Sequence, residues 1–173
     1  MRSVISILFG MFLALVIGAI VLLGILAPVF TVFMGLEGAQ MTPVTALAVA
    51  VAVGMAFYFG GMIASYRAPK LRKLHGVLVA VVSFAISALV NLMSSAFLQT
   101  EQDPLANFRS GSELLLTAAL FAVSVAAAYV GASRGEGLYA YNLSASRRVA
   151  AREKARQRRA EQSRASEGTD SEG

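Results

Sequence analysis

Between Arg2 and Glu37 the chain carries no charged residue, and the stretch from Gly38 to Tyr66 carries none either. Runs of that length need an apolar solvent. A buried helix of a large soluble protein would be apolar too, but several such runs in 173 residues leave too little polar surface to face water. Composition agrees: 57% of residues are hydrophobic and 14% charged, against roughly 25% charged in soluble domains. The solvent for this fold is lipid.

A membrane-crossing helix needs about 20 mostly apolar residues at a rise of about 1.5 Å each. Four segments meet that requirement: 4–29, 43–66, 76–98 and 113–132. The first is too long for the apolar core of a secretory signal and reads as a retained signal anchor. Pro28 lies near its far end, where a missing N–H and a ring clash are expected to kink or stop the helix and leave 29–36 at the interface. Two further helix starts are marked. Thr42 can cap a helix that begins with Pro43, and Ser110 and Glu113 have capping-box spacing.

Lys and Arg residues set the orientation, because they collect in the short cytoplasmic connections of membrane proteins. Arg67, Lys70, Arg72 and Lys73 fall between the second and third spans, and Arg134 with the basic run 147–164 follows the fourth. With Arg2, this side holds all of the 15 basic residues except Arg109. The expectation is an all-α integral membrane four-helix bundle, residues 1–134, with both termini cytoplasmic. A basic tail, residues 135–173, follows it. Arg-rich, Ala-rich usage suggests a GC-rich bacterial genome, and hence the bacterial inner (plasma) membrane.

Within lipid, helices associate through close packing and interhelical hydrogen bonds. On the second span Ala48, Ala52, Ala56, Gly60 and Ala64 recur every four residues, with Gly61 beside them and a second row at Ala46, Ala50 and Gly54. That surface is smooth enough for close backbone approach and predicts a central helix or an oligomer interface. On the third span Ser83, Ser87, Asn91 and Ser95 form a polar line at the same spacing. The line reads first as structural glue, since Ser bonds back to its own helix and one Asn can tie two helices together. Its functional reading is the wall of a solute path.

Ionisable groups are missing from the spans apart from Glu113 at an outer edge, which disfavours proton relays, voltage sensing and many ion-coupled carriers. There is no Cys and a single His, His75, at the start of the third span. A lone His supplies one metal ligand at most, so no metal or other cofactor is expected. A Ser without a base and an orienting group is no nucleophile, so no enzyme activity is expected either.

Gly60-Gly61-Met62-Ile63-Ala64-Ser65-Tyr66-Arg67-Ala68, followed by His75-Gly76-Val77, resembles a pattern in small four-helix prokaryotic membrane proteins of uncharacterised function. There a helix ends in Gly-Gly-x-x-Ala, a short basic loop follows, and His-Gly opens the next helix. The resemblance implies the same architecture and brings no functional residue with it. Inside the chain, the second span exits through 61–67 (GMIASYR) and the fourth through 129–134 (YVGASR), as if each closed one of two similar helical hairpins.

After Gly137 the composition turns to Ala, Arg and Glu. A helix over 138–163 lying on the membrane surface is expected, with 167–173 lacking regular structure. Arg67, Lys70, Arg72, Lys73, Arg147 and Arg148 are the basic residues placed to face anionic headgroups. The partners expected are membrane lipids and a second copy of the chain, with no nucleic acid or small-molecule substrate. The functional expectation is a non-enzymatic structural or accessory membrane protein working through helix–helix association. The alternative is a small transporter or channel component that oligomerises around the Ser/Asn line.

Overall fold

The computed structural model describes residues 2–34, 43–97 and 111–170, which are almost entirely helical. α1 (Arg2–Ala19) passes through a π-helical segment (Ile20–Leu26) into α2 (Ala27–Met34). α3 (Pro43–Arg67), α4 (Arg72–Phe97) and α5 (Gly111–Asp170) follow. Four helical stretches are long and apolar enough to cross a membrane: Ser3–Val32, Val44–Arg67, Arg72–Val90 and Leu114–Arg158. The chain divides into two units, a bundle up to Glu136 and a tail from Gly137.

Of the two outcomes expected at Pro28, a kink or a stop, the stop does not occur: the helix continues through an irregular segment. Proline lacks an N–H for the carbonyl four residues back and its ring collides with that carbonyl. The preceding turns widen instead: the Ala27 N–H bonds the Leu22 carbonyl, five residues away, in π-helical register. Past the proline, Thr31 Oγ1 donates to the carbonyls of Ala27 (2.9 Å) and Pro28 (3.2 Å).

α3 ends where Ala68 precedes Pro69, since a residue before proline is pushed out of the helical region. The Ala68 N–H closes the last turn on the Ala64 and Ser65 carbonyls at 3.0 and 3.3 Å. Leu71 then takes φ of 47°, a left-handed conformation that costs a side-chain-bearing residue about 1–2 kcal/mol. It reverses the chain into α4, and its carbonyl accepts from the His75 N–H at 3.2 Å and from His75 Nδ1 at 3.1 Å. His75 is buried there as part of the first turn of α4.

α3 starts at Pro43, while the expected caps Thr42 and Ser110 lie outside the described residues. α5 passes through Gly137 and continues to Asp170 without interruption, where the sequence suggests a surface helix to about 163 and an irregular end. The Ala, Arg, Glu and Gln that dominate this run lose little side-chain freedom in a helix, which favours continuation over a break at the composition change. Within the tail unit, Ser144 and Ser146 donate to the Tyr141 and Leu143 carbonyls at 2.7 and 2.9 Å.

A candidate helix-packing site and the cavity beside it

Small residues decide where the helices of the bundle meet. On α1, Ser6, Gly10 and Ala14 are buried; on α3, Thr45, Ala52, Ala56, Gly60, Gly61, Ala64 and Ser65, with Ala68 just past its end. On α4 the buried set is His75, Gly76, Val79 and Ala80, and on α5 it is Ser124, Ala128, Gly131, Ala132 and Gly135. Most of these positions lie toward the end of the bundle that carries the α3–α4 turn. Residues 85–90 of α4, at the other end, are all exposed.

Glycine permits the approach. A Cβ built on Gly10 would fall 2.7 Å from the Gly60 carbonyl oxygen and 2.8 Å from the Ala64 Cβ, and one on Gly60 would meet the Gly10 oxygen at the same 2.7 Å. α1 and α3 therefore touch backbone to backbone and run antiparallel, since Gly18 sits opposite Ala56 further along. On the other flank of α3, a Cβ on Gly61 would meet the Ala128 carbonyl oxygen at 2.5 Å. Cβ atoms on Gly131 and Gly135 would collide with the carbonyls of Tyr58 and Met62. These pairs run parallel, and they bring together the two exit segments whose sequences are alike. Gly76 inserts α4 between them, against Ala132 and the Gly61 carbonyl.

A buried side-chain hydrogen bond crosses this junction. Ser65 Oγ donates to the Ala132 carbonyl at 2.8 Å, with Ser65 fully buried. At the same end the Arg67 guanidinium lies 3.9 Å above the centre of the Phe9 ring, joining α3 to α1. Lys73 Nζ stands 3.6 Å from Glu136 Oε2, both about half exposed.

Of the residues singled out on the second span, Ala52, Ala56, Gly60, Gly61 and Ala64 are buried among neighbouring helices and Ala48 is half-buried. Ala46, Ala50 and Gly54 are half-buried as well. Arg67, Lys70 and Lys73 are exposed, as are Arg147 and Arg148 in the tail unit, and Arg72 is half-buried. The partner rows were overlooked in the sequence although the same signal marks them. Ser6, Gly10, Ala14 and Gly18 recur every four residues on α1, and Ser124, Ala128 and Ala132 do so on α5 beside Gly131 and Gly135.

Where the tight packing ends, the helices part around a cavity of about 790 Å3. Leu8, Phe12, Leu15 and Leu22 form one wall, Val53 and Phe57 a second, and Ser83, Phe84, Ile86 and Ser87 a third. Two members of the polar line thus share one chamber, Ser83 half-buried and Ser87 exposed. The side chains of Asn91 and Ser95 lie outside the described residues. The Phe84 ring sits 6.3 Å from Phe57 and 5.0 Å from Phe121, the latter edge-on.

No protein-family model, curated protein or solved structure matches this chain. The helices define a class of protein, all-α with four stretches able to cross a membrane.

Proposed function

We propose that the chain is a non-enzymatic, structural or accessory protein of the bacterial inner membrane, acting through helix–helix association. The observation that carries this reading is the backbone contact of α3 with α1 on one flank and α5 on the other through Gly10, Gly60, Gly61 and Gly131. In lipid, where apolar side chains gain little by leaving acyl tails, such contact is the main source of cohesion. Outside the junction, large apolar side chains such as Leu15, Leu23, Leu89 and Leu115 remain exposed. These are the surfaces that lipid tails, partner helices or a second copy would cover. The Gly-Gly-x-x-Ala and His-Gly resemblance to small four-helix prokaryotic membrane proteins points the same way.

The Lys/Arg bias of the connections supports a cytoplasmic location for both termini. Anionic headgroups are the proposed partner of the tail, where Arg148, Arg152 and Arg156 stand at four-residue spacing on one helix face. Like charges so placed repel by about 0.2–0.5 kcal/mol per pair, and an anionic surface relieves that repulsion. The test of the association reading is disulfide or bis-maleimide crosslinking of single cysteines at Leu15, Leu89 and Leu115 in native membranes. Crosslinks confined to one face support a defined assembly, and their absence at all three in both reagents speaks against homo-association through these faces.

A second reading, a transporter or channel component, is favoured by one observation: Ser83 and Ser87 of the polar line face the cavity. It requires that single cysteines at Ser83, Ser87, Asn91 and Ser95 react with a membrane-impermeant thiol reagent. Protection of all four removes it.

A further inference from the structure

The first helical stretch changes character along its length. Toward the α3–α4 turn it is clamped: Ser6, Gly10 and Ala14 are buried at four-residue spacing, and a Cβ on Gly10 would lie 2.7 Å from the Gly60 carbonyl oxygen. A Cβ on Gly18 would still touch the Ala56 Cβ at 3.6 Å. Beyond it the grip is lost. None of Ile20–Leu26 is buried, nor is any of residues 27–32, and Ile20, Leu23, Ile25 and Val32 are exposed.

Helices bend sharply where their hydrogen-bond ladder is interrupted, at proline, at glycine or at π-helical turns. All three coincide here. Pro28 has no N–H for the Gly24 carbonyl four residues back, and Ile20–Leu26 is held in five-residue register, with the Ala27 N–H on the Leu22 carbonyl. The proline accounts for the widened turns but not for Gly24. Gly10 and Gly60 admit the backbone of a neighbouring helix, whereas a Cβ on Gly24 would meet no atom within 4 Å. A glycine in a helix interior costs stability relative to alanine, and where it makes no room for a neighbour, what it supplies is backbone freedom.

Past this segment, Thr31 Oγ1 joins the carbonyls of Ala27 and Pro28 into one turn. We propose that α2 is an arm hinged over residues 20–28, which swings as one piece against a bundle held fixed up to Gly18. Ala19 and Leu22, at the base of the arm, line the cavity together with Ile86 of α4, so the swing widens and narrows the cavity mouth. α4 offers no clamp at that end, where residues 85–90 are all exposed. Val32 lies about 12 Å beyond Gly24 at ~1.5 Å per residue, and a bend of about 20° displaces it by about 4 Å.

The test is pulsed electron–electron double resonance between nitroxides on the full chain, which has no cysteine of its own, in nanodiscs and diluted with unlabelled protein. V32C/L89C spans the arm and α4. L47C/L89C joins the same point of α4 to α3 and reports any looseness of the bundle without the arm; Val32, Leu47 and Leu89 are all exposed. The expected V32C/L89C distance distribution is broader than that of L47C/L89C by about 4 Å. G24A/P28A, which removes the glycine and restores the N–H, should narrow it to the L47C/L89C width. Equal widths for the two pairs, or a V32C/L89C width that G24A/P28A leaves unchanged, overturns the proposal. Gly24 has open surroundings and Pro28 is exposed, so G24A/P28A should unfold at or above the wild-type temperature; if it does not, P28A alone decides by the same comparison.

Discussion

Ser65 Oγ donates to the carbonyl of Ala132 at 2.8 Å, a bond that joins α3 to α5 across 67 residues of sequence. It is one of the contacts that fasten the two similar exit segments together. Interhelical hydrogen bonds in membranes contribute about 0.6 kcal/mol on average and up to about 1.7, so Ser65→Ala should lower stability by about 0.5–1.5 kcal/mol. Reversible unfolding in mixed micelles measures it. A variant as stable as the wild type would mean that packing alone holds this contact.

The glycines separate into two kinds. A Cβ on Gly131 collides with the Tyr58 carbonyl, whereas nothing lies within 4 Å of one on Gly24 or Gly137. Gly131→Ala has to push two backbones apart and should destabilise by about 1–3 kcal/mol. Gly137→Ala only removes helix-interior backbone freedom and should be neutral or stabilise by up to about 1 kcal/mol. Thermal unfolding of both variants under one condition checks the contrast, and equal effects would contradict the contact.

Lys73 and Glu136 make a half-exposed ion pair at 3.6 Å. Exposed pairs contribute about 0–1 kcal/mol and are screened by salt. Lys73→Gln should therefore cost less than about 1 kcal/mol at low ionic strength and nothing measurable near 1 M salt. Unfolding at the two salt concentrations tests this.

The tail should respond to lipid charge. An environment-sensitive dye on a single cysteine at Val149, which is exposed in the tail unit, should shift to the blue in nanodiscs containing anionic lipid and not in neutral ones. Replacing Arg148, Arg152 and Arg156 by Ser should abolish the shift, and so should high salt, because headgroup attraction acts within a Debye length. A shift independent of lipid charge would assign the contact to apolar residues such as Leu143.

How far the sequence could be read follows from which signals are local. The runs free of charge between Arg2 and Glu37 and between Gly38 and Tyr66 mark two helical stretches on their own, because length and hydropathy are properties of the segment. Pro28 marks an irregularity, but its local rule does not say that the π-helical register of Ile20–Leu26 absorbs it in place of a stop. The rows on α1 and α5 carry the same four-residue spacing as α3 and were legible in principle. What the sequence lacks is the pairing: nothing local says that Gly131 meets Tyr58 rather than lipid, or that Ser65 reaches Ala132. The cavity is still less legible, because its walls come from α1, α3 and α4 and exist only once those helices are in place.

The most direct test of the account is topology, and the chain has no cysteine to remove first. Single cysteines at Gln40, Lys70 and Ser163 would be labelled with an impermeant maleimide in intact cells and in inverted membrane vesicles. Four spans with both ends inside predict that Gln40 labels only in cells, and Lys70 and Ser163 only in inverted vesicles. Labelling of Lys70 and Ser163 from opposite sides, or of either in intact cells, would contradict it.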